Sequence, residues 1–150
     1  AARSTFTCHD DERPGEPVLD YLLTLPQFLA WWLLALVECG VFVGLYILIT
    51  PHSEFRLIRE GNVSAAVMLS GALLGFVLPV ASALAHSVNL ADFAVWGVVA
   101  LVVQLIVYLA LRLSFRPLHE LIEQDRLSVA ILCAAIGVGA GVLNAAAMTY

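Results

Sequence analysis

Two long polar side chains stand alone inside otherwise apolar runs, Glu38 in FLAWWLLALVECGVFVGLYILI and Gln104 in AVWGVVALVVQLIVYLALRLSF. A carboxylate in such a run is costly to ionise in hydrocarbon, so Glu38 has to face the interior of a helix bundle or find a donor. A carboxamide is one donor. Two chemistries follow: a Glu38–Gln104 hydrogen bond that fixes helix pairing, worth about 1 kcal/mol, or a protonatable or ion-binding site with Ser70, Tyr108 and Asn144 as further lining. The sequence has no nucleophile–base pair and no phosphate-binding loop, so no catalytic residue is assigned and an enzyme is not expected. Cys8, Cys39 and Cys133 lack metal or redox spacing, and Cys39 and Cys133 suit packing. Contiguous residues rarely converge on one ion, so the run Cys8-His9-Asp10-Asp11-Glu12 reads as a solvated acidic tail. No metal or cofactor is expected. His86 and Asp92, near the loop 85–92, are expected to hydrogen-bond locally.

The elements that must position Glu38 and Gln104 come from composition. An apolar fraction of 61% with 13% charged residues does not suit a soluble domain. Runs at about Phe28–Ile49, Ser64–Leu84, Phe93–Leu113 and Leu127–Met148 are each long enough to cross about 30 Å of hydrocarbon as a helix. Lipid cannot satisfy an open backbone, which leaves an all-α membrane protein with four transmembrane helices.

The chain also repeats itself. A shift of sixty-four places lays Ile58–Leu84 on Ile122–Met148 without a gap, matching Ser64 with Ser128, Ala66 with Ala130 and Gly75 with Gly139. Matching Pro51 to Pro117 carries the repeat back through the preceding helix and sets Glu38 on Gln104. The reading is two parallel two-helix repeats related by an axis along the membrane normal, with Glu38 and Gln104 at equal depth, meeting or facing one cavity. The expected units are a polar acidic tail over 1–17, an interfacial lead-in over 18–27 ended by Pro26, a first repeat over 28–84, an outer loop over 85–92 and a second repeat over 93–150.

The net charge of −5 sits largely in the tail and argues against nucleic acid. There is no lysine. Arg56, Arg59, Arg112, Arg116 and Arg126 cluster on the two linkers, so by the positive-inside rule both linkers are cytoplasmic and both termini periplasmic. Arg56, Arg59, Arg112 and Arg116 are expected to meet lipid phosphates. Trp31, Trp32 and Trp96 fall at the opposite boundary, as an aromatic belt requires. An N-terminus at Ala1 fits excision of an initiating Met, or signal-peptide cleavage, which would place it outside.

Gly40 and Gly44, Gly71 and Gly75, and Gly137, Gly139 and Gly141 have the small-xxx-small spacing that lets membrane helices approach closely, and are read as helix-packing residues. Pro79 is expected to bend the second span where it removes a backbone donor. Short loops, minimal pockets and glycine faces favour a non-catalytic membrane subunit that forms a homo-oligomer or joins a larger complex, with membrane lipids as its other partners. The alternative is a proton or small-ion conduit using Glu38 and Gln104, and because four helices enclose little space its pore would lie between protomers.

The run YILITPHSEFRLIREGNVSAAVMLSGALLG from Tyr46 to Gly75, with Trp96-Gly97, Gln104 and the closing LNAAAM, resembles the YjfL-like family of bacterial inner-membrane proteins that carry the domain of unknown function 350. The likeness covers roughly Leu36 to Met148. It implies paired membrane helices and a bacterial inner-membrane address, and it implies no activity.

Overall fold

The computed structural model describes residues 16–50, of which 16–21 as backbone, and 54–149. The acidic tail, with Cys8 and its neighbours, lies outside them, as does Pro51. The described residues form six helices: α1 (Glu16–Ile49), α2 (Glu54–Arg59), α3 (Val63–His86), α4 (Leu90–Ser114), α5 (Leu118–Glu123) and α6 (Leu127–Ala147). Four of them, α1 from Leu22 on, α3, α4 and α6, are long and apolar enough to cross a membrane. The short α2 and α5 fill the two linkers, each six residues long, and α5 begins sixty-four residues after α2. We call their end of the bundle the linker side and the end carrying the α3–α4 turn the loop side.

One boundary differs from expectation. The lead-in is not a separate segment, because α1 runs unbroken through Pro26. A proline removes one helical hydrogen bond. The residues on both sides are equally apolar, so nothing in the sequence favours leaving the helix there. Pro79 likewise stays inside α3, fully buried.

The core is the pair α3 and α6. Gly71 faces Ala134, Gly75 faces Gly137, and Ser82 Oγ donates to the Ala145 carbonyl at 3.0 Å, so the two helices run parallel at nearly constant offset. Their backbones touch. A Cβ on Gly75 would run into the Gly137 carbonyl, and one on Gly141 into the Gly75 carbonyl. Each glycine therefore directs a Cα–H at a carbonyl oxygen of the other helix, a weak contact that recurs at helix–helix interfaces. Pro79 has no N–H to offer the carbonyl four residues before it, which is that of Gly75. The oxygen that Pro79 leaves without its helical donor is the one Gly141 approaches.

Helix α4 packs into the groove between α3 and α6, while α1 rests on α3 and α4 and makes no comparable contact with α6. Only 11% of the α1 span is buried, against 44% for α3, so α1 is the outlying helix. Its inner face carries Glu38, Phe42 and Tyr46 at four-residue spacing. Phe42 stacks on Phe76 (centroids 4.5 Å apart, planes at 12°), Tyr46 meets Tyr108 edge-on at 4.8 Å, and Trp31 meets Phe93 at 5.8 Å. Gly40 and Gly44 lie two residues off this face, some 200° around the helix. They are exposed with open space above them, as is Gly139, two residues from the inward Gly137 and Gly141. These three do not pack helices within the protomer.

The linkers close with matching turns. Gly61 N–H donates to Ile58 and Asn62 N–H to Leu57, and in the second linker Asp125 N–H donates to Ile122 and Arg126 N–H to Leu121. Both are Schellman caps with a left-handed residue, Gly61 (φ 92°) and Asp125 (φ 54°). The linkers then clasp each other. Asn62 Oδ1 accepts from Ala65 N–H at 2.7 Å while its Nδ2 donates to the Ile122 carbonyl at 2.8 Å; Asp125 Oδ1 accepts from Ser64 N–H at 2.7 Å, capping α3 from the other half of the chain. On the loop side His86 Nδ1 bonds the Ser82 carbonyl at 2.8 Å and Asp92 Oδ2 accepts from Val88 N–H at 3.2 Å, the local bonds expected of them.

The Ser64 N–H holds the Asp125 carboxyl below its ordinary pKa of 3.8. A carboxyl lowered in the folded state stabilises above its unfolded pKa and loses that contribution as pH falls through the folded one. Thermal unfolding in lipid nanodiscs should therefore show a melting temperature that drops below about pH 4 in the wild type. Asp125→Asn, which keeps an acceptor and tolerates the left-handed backbone, should flatten that drop. Asp125→Ala should melt lower at every pH.

Candidate functional site

The long polar side chains inside the bundle belong to α1, α2 and α4. Helix α4 presents Phe93, Gly97, Ala100, Gln104, Tyr108 and Leu111 inward, a heptad-like face on which every residue is buried. Gln104 stands where α4 enters the α3–α6 groove. Its Nε2 donates to the Ala72 carbonyl at 3.3 Å and the Gly137 carbonyl at 3.4 Å, and the side chain is 4% exposed. One carboxamide thus ties three helices together.

Glu38 is elsewhere. Its carboxylate lies flat on Gly97, so that a Cβ on Gly97 would fall on the carboxylate atoms. Both its oxygens are buried with no hydrogen-bond partner among the described residues. Gly97 and Gln104 are seven residues apart on α4, about 10 Å along the axis. Glu38 and Gln104 do not meet. The cause lies in register. The repeat matches α1 to α4 at an offset of sixty-six, whereas Trp31 meets Phe93 and Tyr46 meets Tyr108, both at sixty-two. Helix α4 is slid about one turn, and Gln104 is drawn onto α3 and α6 instead.

Of the further lining residues, Tyr108 borders a cavity of about 20 Å³ with Gln104, Phe42, Tyr46 and Cys133. Ser70 is exposed, and Asn144 is half-buried two turns along α6 from Gly137. Arg112 Nη1 donates to the Ile49 carbonyl at 3.2 Å, tying α4 to the last turn of α1. Arg56 pairs with Glu60 at 3.7 Å, and Arg59 and Arg116 are exposed on the linker side. Among the described residues no three His, Cys, Asp or Glu side chains converge to hold a metal.

Sequence reasoning passed over one group. Glu54, on α2, is 3% exposed. It lines a second cavity of about 20 Å³ on the linker side with Thr50, Leu57, Met68, Tyr108, Arg112, Leu118, His119 and Ile122. Burial pushes its carboxyl up to about 7. Its position in the TP-x-x-E stretch was the available signal, because a carboxylate just behind a span and ahead of an apolar Phe55-Arg56-Leu57 turn can fold back under the bundle.

Compared with known proteins, residues 20–148 match the model of a Domain of Unknown Function, DUF350. The chain belongs to the DUF350 family. It is 35% identical over 133 residues to the UPF0719 inner membrane protein YjfL of Escherichia coli (strain K12), covering 89% of this chain and 98% of that protein, and matches the same-named protein of Escherichia coli O157:H7 to the same extent. No solved structure matches. The family match begins at residue 20, so it takes in the α1 segment before Pro26 that sequence reasoning set apart. Family membership and four spanning helices make this a multi-pass inner-membrane protein.

Gly97 and Glu38 form a pair open to a double-mutant cycle. Gly97→Ala should lower stability by roughly 1–3 kcal/mol, as overpacking does. In a Glu38→Ala background the same change should be nearly free, a coupling of about 0.5–3 kcal/mol in thermal or denaturant unfolding. Additive effects would show that the two side chains do not touch.

Proposed function

We propose that this DUF350 protein is a non-catalytic inner-membrane subunit that assembles with a second copy of itself across the outward face of α1. The reading rests on Gly40 and Gly44. Where this fold brings glycines against another helix, as at Gly71, Gly75 and Gly141, no room is left for a Cβ; above Gly40 and Gly44 the space is open. The positions of α4 that match them are Ile106 and Ala110, both exposed, so α1 has no internal glycine partner. Two α1 helices related by a two-fold axis would present the same glycines to each other. The arginines Arg56, Arg59, Arg112, Arg116 and Arg126 all lie on the linker side, which supports linkers in the cytoplasm and termini in the periplasm.

A second reading, a conduit for protons or small ions, is favoured by the unpartnered carboxylate of Glu38. The cavities around Gln104 and Glu54 are each about 20 Å³, far too small for a pore, so in this reading passage runs between copies.

In mild detergent or nanodiscs, Gly40→Leu with Gly44→Leu should weaken the dimer about tenfold, the equivalent of 1.4 kcal/mol, with melting of the protomer unchanged. A monomeric wild type, or an oligomer indifferent to both changes, argues against self-assembly through α1. For the second reading, ion flux into liposomes should fall in Glu38→Gln. Equal flux, or none in either protein, removes it.

A further inference from the structure

The buried acid on the linker side has no place in either reading above. Glu54 is held by α2 beneath the ends of the spans, 3% exposed, and its Oε2 has no hydrogen-bond partner among the described residues. The Tyr46 hydroxyl faces it but falls outside hydrogen-bond geometry. A buried polar atom without a partner is destabilising and calls for an explanation. The cavity on which Glu54 opens supplies one. At about 20 Å³ it has room for about one water, and it is walled by the polar side chains of Thr50, Arg112 and His119 among apolar ones.

The surroundings decide which ligand suits it. Calcium and magnesium need about six oxygen ligands, and zinc about four from His, Cys or carboxylate side chains; among the described residues the cavity offers one carboxylate and His119, and the Arg112 guanidinium lines it too. A phosphate or lipid headgroup would meet a carboxylate in a space too small for it. What remains is a proton carried by water. Among the described residues, the groups around Glu54 fit that role. Helix α1 offers the Tyr46 hydroxyl, α4 offers Tyr108 and Arg112, α5 offers His119, and α3 offers only the apolar Met68, while Arg56, Arg59 and Glu60 on α2 itself are exposed.

We propose that Glu54 is a proton-binding site, exchanging one proton with water on the linker side of the membrane through the cavity between α2, α4 and α5. The balance is simple. A proton leaves hydronium or a neutral donor in the aqueous phase and adds to a carboxylate oxygen, and the neutral acid is the form that suits so buried a position. Burial raises the carboxyl to about 7, so exchange falls in the physiological range. Along α1, Phe42, stacked on Phe76, and Tyr46 follow Glu38 before the chain reaches Glu54.

Infrared difference spectroscopy of the protein in nanodiscs, titrated from acid to alkaline pH, tests this. With the other buried carboxyl removed by Glu38→Gln, the expected result is a protonated-carboxyl band that disappears with a midpoint near pH 7, shifts promptly in heavy water and is lost when Glu54→Gln is added. Thermal melting is the second measurement. A carboxyl raised in the folded state stabilises fully below its ordinary value of 4.5 and loses that contribution as pH rises to about 7. Glu38→Gln protein should therefore melt progressively lower across that interval, and the same protein with Glu54→Gln added should not. Glu54→Asp keeps the carboxyl if the Gln variant does not fold, and should retain a band at a shifted midpoint. A titrating band still present when Glu38→Gln and Glu54→Gln are combined, no carboxyl band near neutral pH in Glu38→Gln, or a band inert to heavy water would each overturn the proposal.

Discussion

Everything in this bundle depends on how closely the backbones of α3 and α6 approach. Within lipid the hydrophobic effect does not drive one helix against another, so association draws on van der Waals contact and on polar groups that have nowhere else to bond. Gly71, Gly75 and Gly141 leave no room for a side chain, and that absence brings the two helices into backbone contact. Pro79 adds to it by leaving the Gly75 carbonyl without its helical donor, and Gly141 lies against that oxygen. Gln104 can then reach carbonyls on both helices at once. Were the pair wider by a methyl group, one carboxamide could no longer span it.

With that pair set, the placement of the other elements follows. Helix α4 fills the groove on one side, with the side chains of Phe93, Ala100 and Tyr108 buried beneath it. Helix α1 has only the flank of α3 and α4 left, and it meets them through aromatic rings and through a carboxylate laid on a glycine. The two repeats are therefore equivalent in sequence but not in environment. Each contributes its second spanning helix to the core, but the first helix of the second repeat, α4, is seated in the groove while that of the first, α1, lies at the edge.

Much of this was legible beforehand, because the features involved are local. Span length and apolarity located all four membrane helices, and spacing alone picked out Gly71, Gly75, Gly137 and Gly141. Spacing could not say which way a glycine faces; for Gly40, Gly44 and Gly139 that depended on which neighbours a helix turns inward. The pairing of Glu38 with Gln104 failed for a related reason. Repeat alignment assigns equal depth to equivalent residues, while packing slid α4 by about a turn to seat its carboxamide. Glu54 was overlooked since a charged residue in a linker reads as solvated, and only the fold of α2 under the spans buries it.

The linker clasp carries a lesson about history. In the first half the left-handed turn position is Gly61, which has no side chain; in the second it is Asp125, whose carboxylate reaches across to α3. Asn62 reaches the other way, and Arg126 stands at its counterpart. An ancestor built from two identical halves could not have had this lopsided handshake. Once it arose, the two portions became lock and key, each supplying a side chain that the backbone of the other receives.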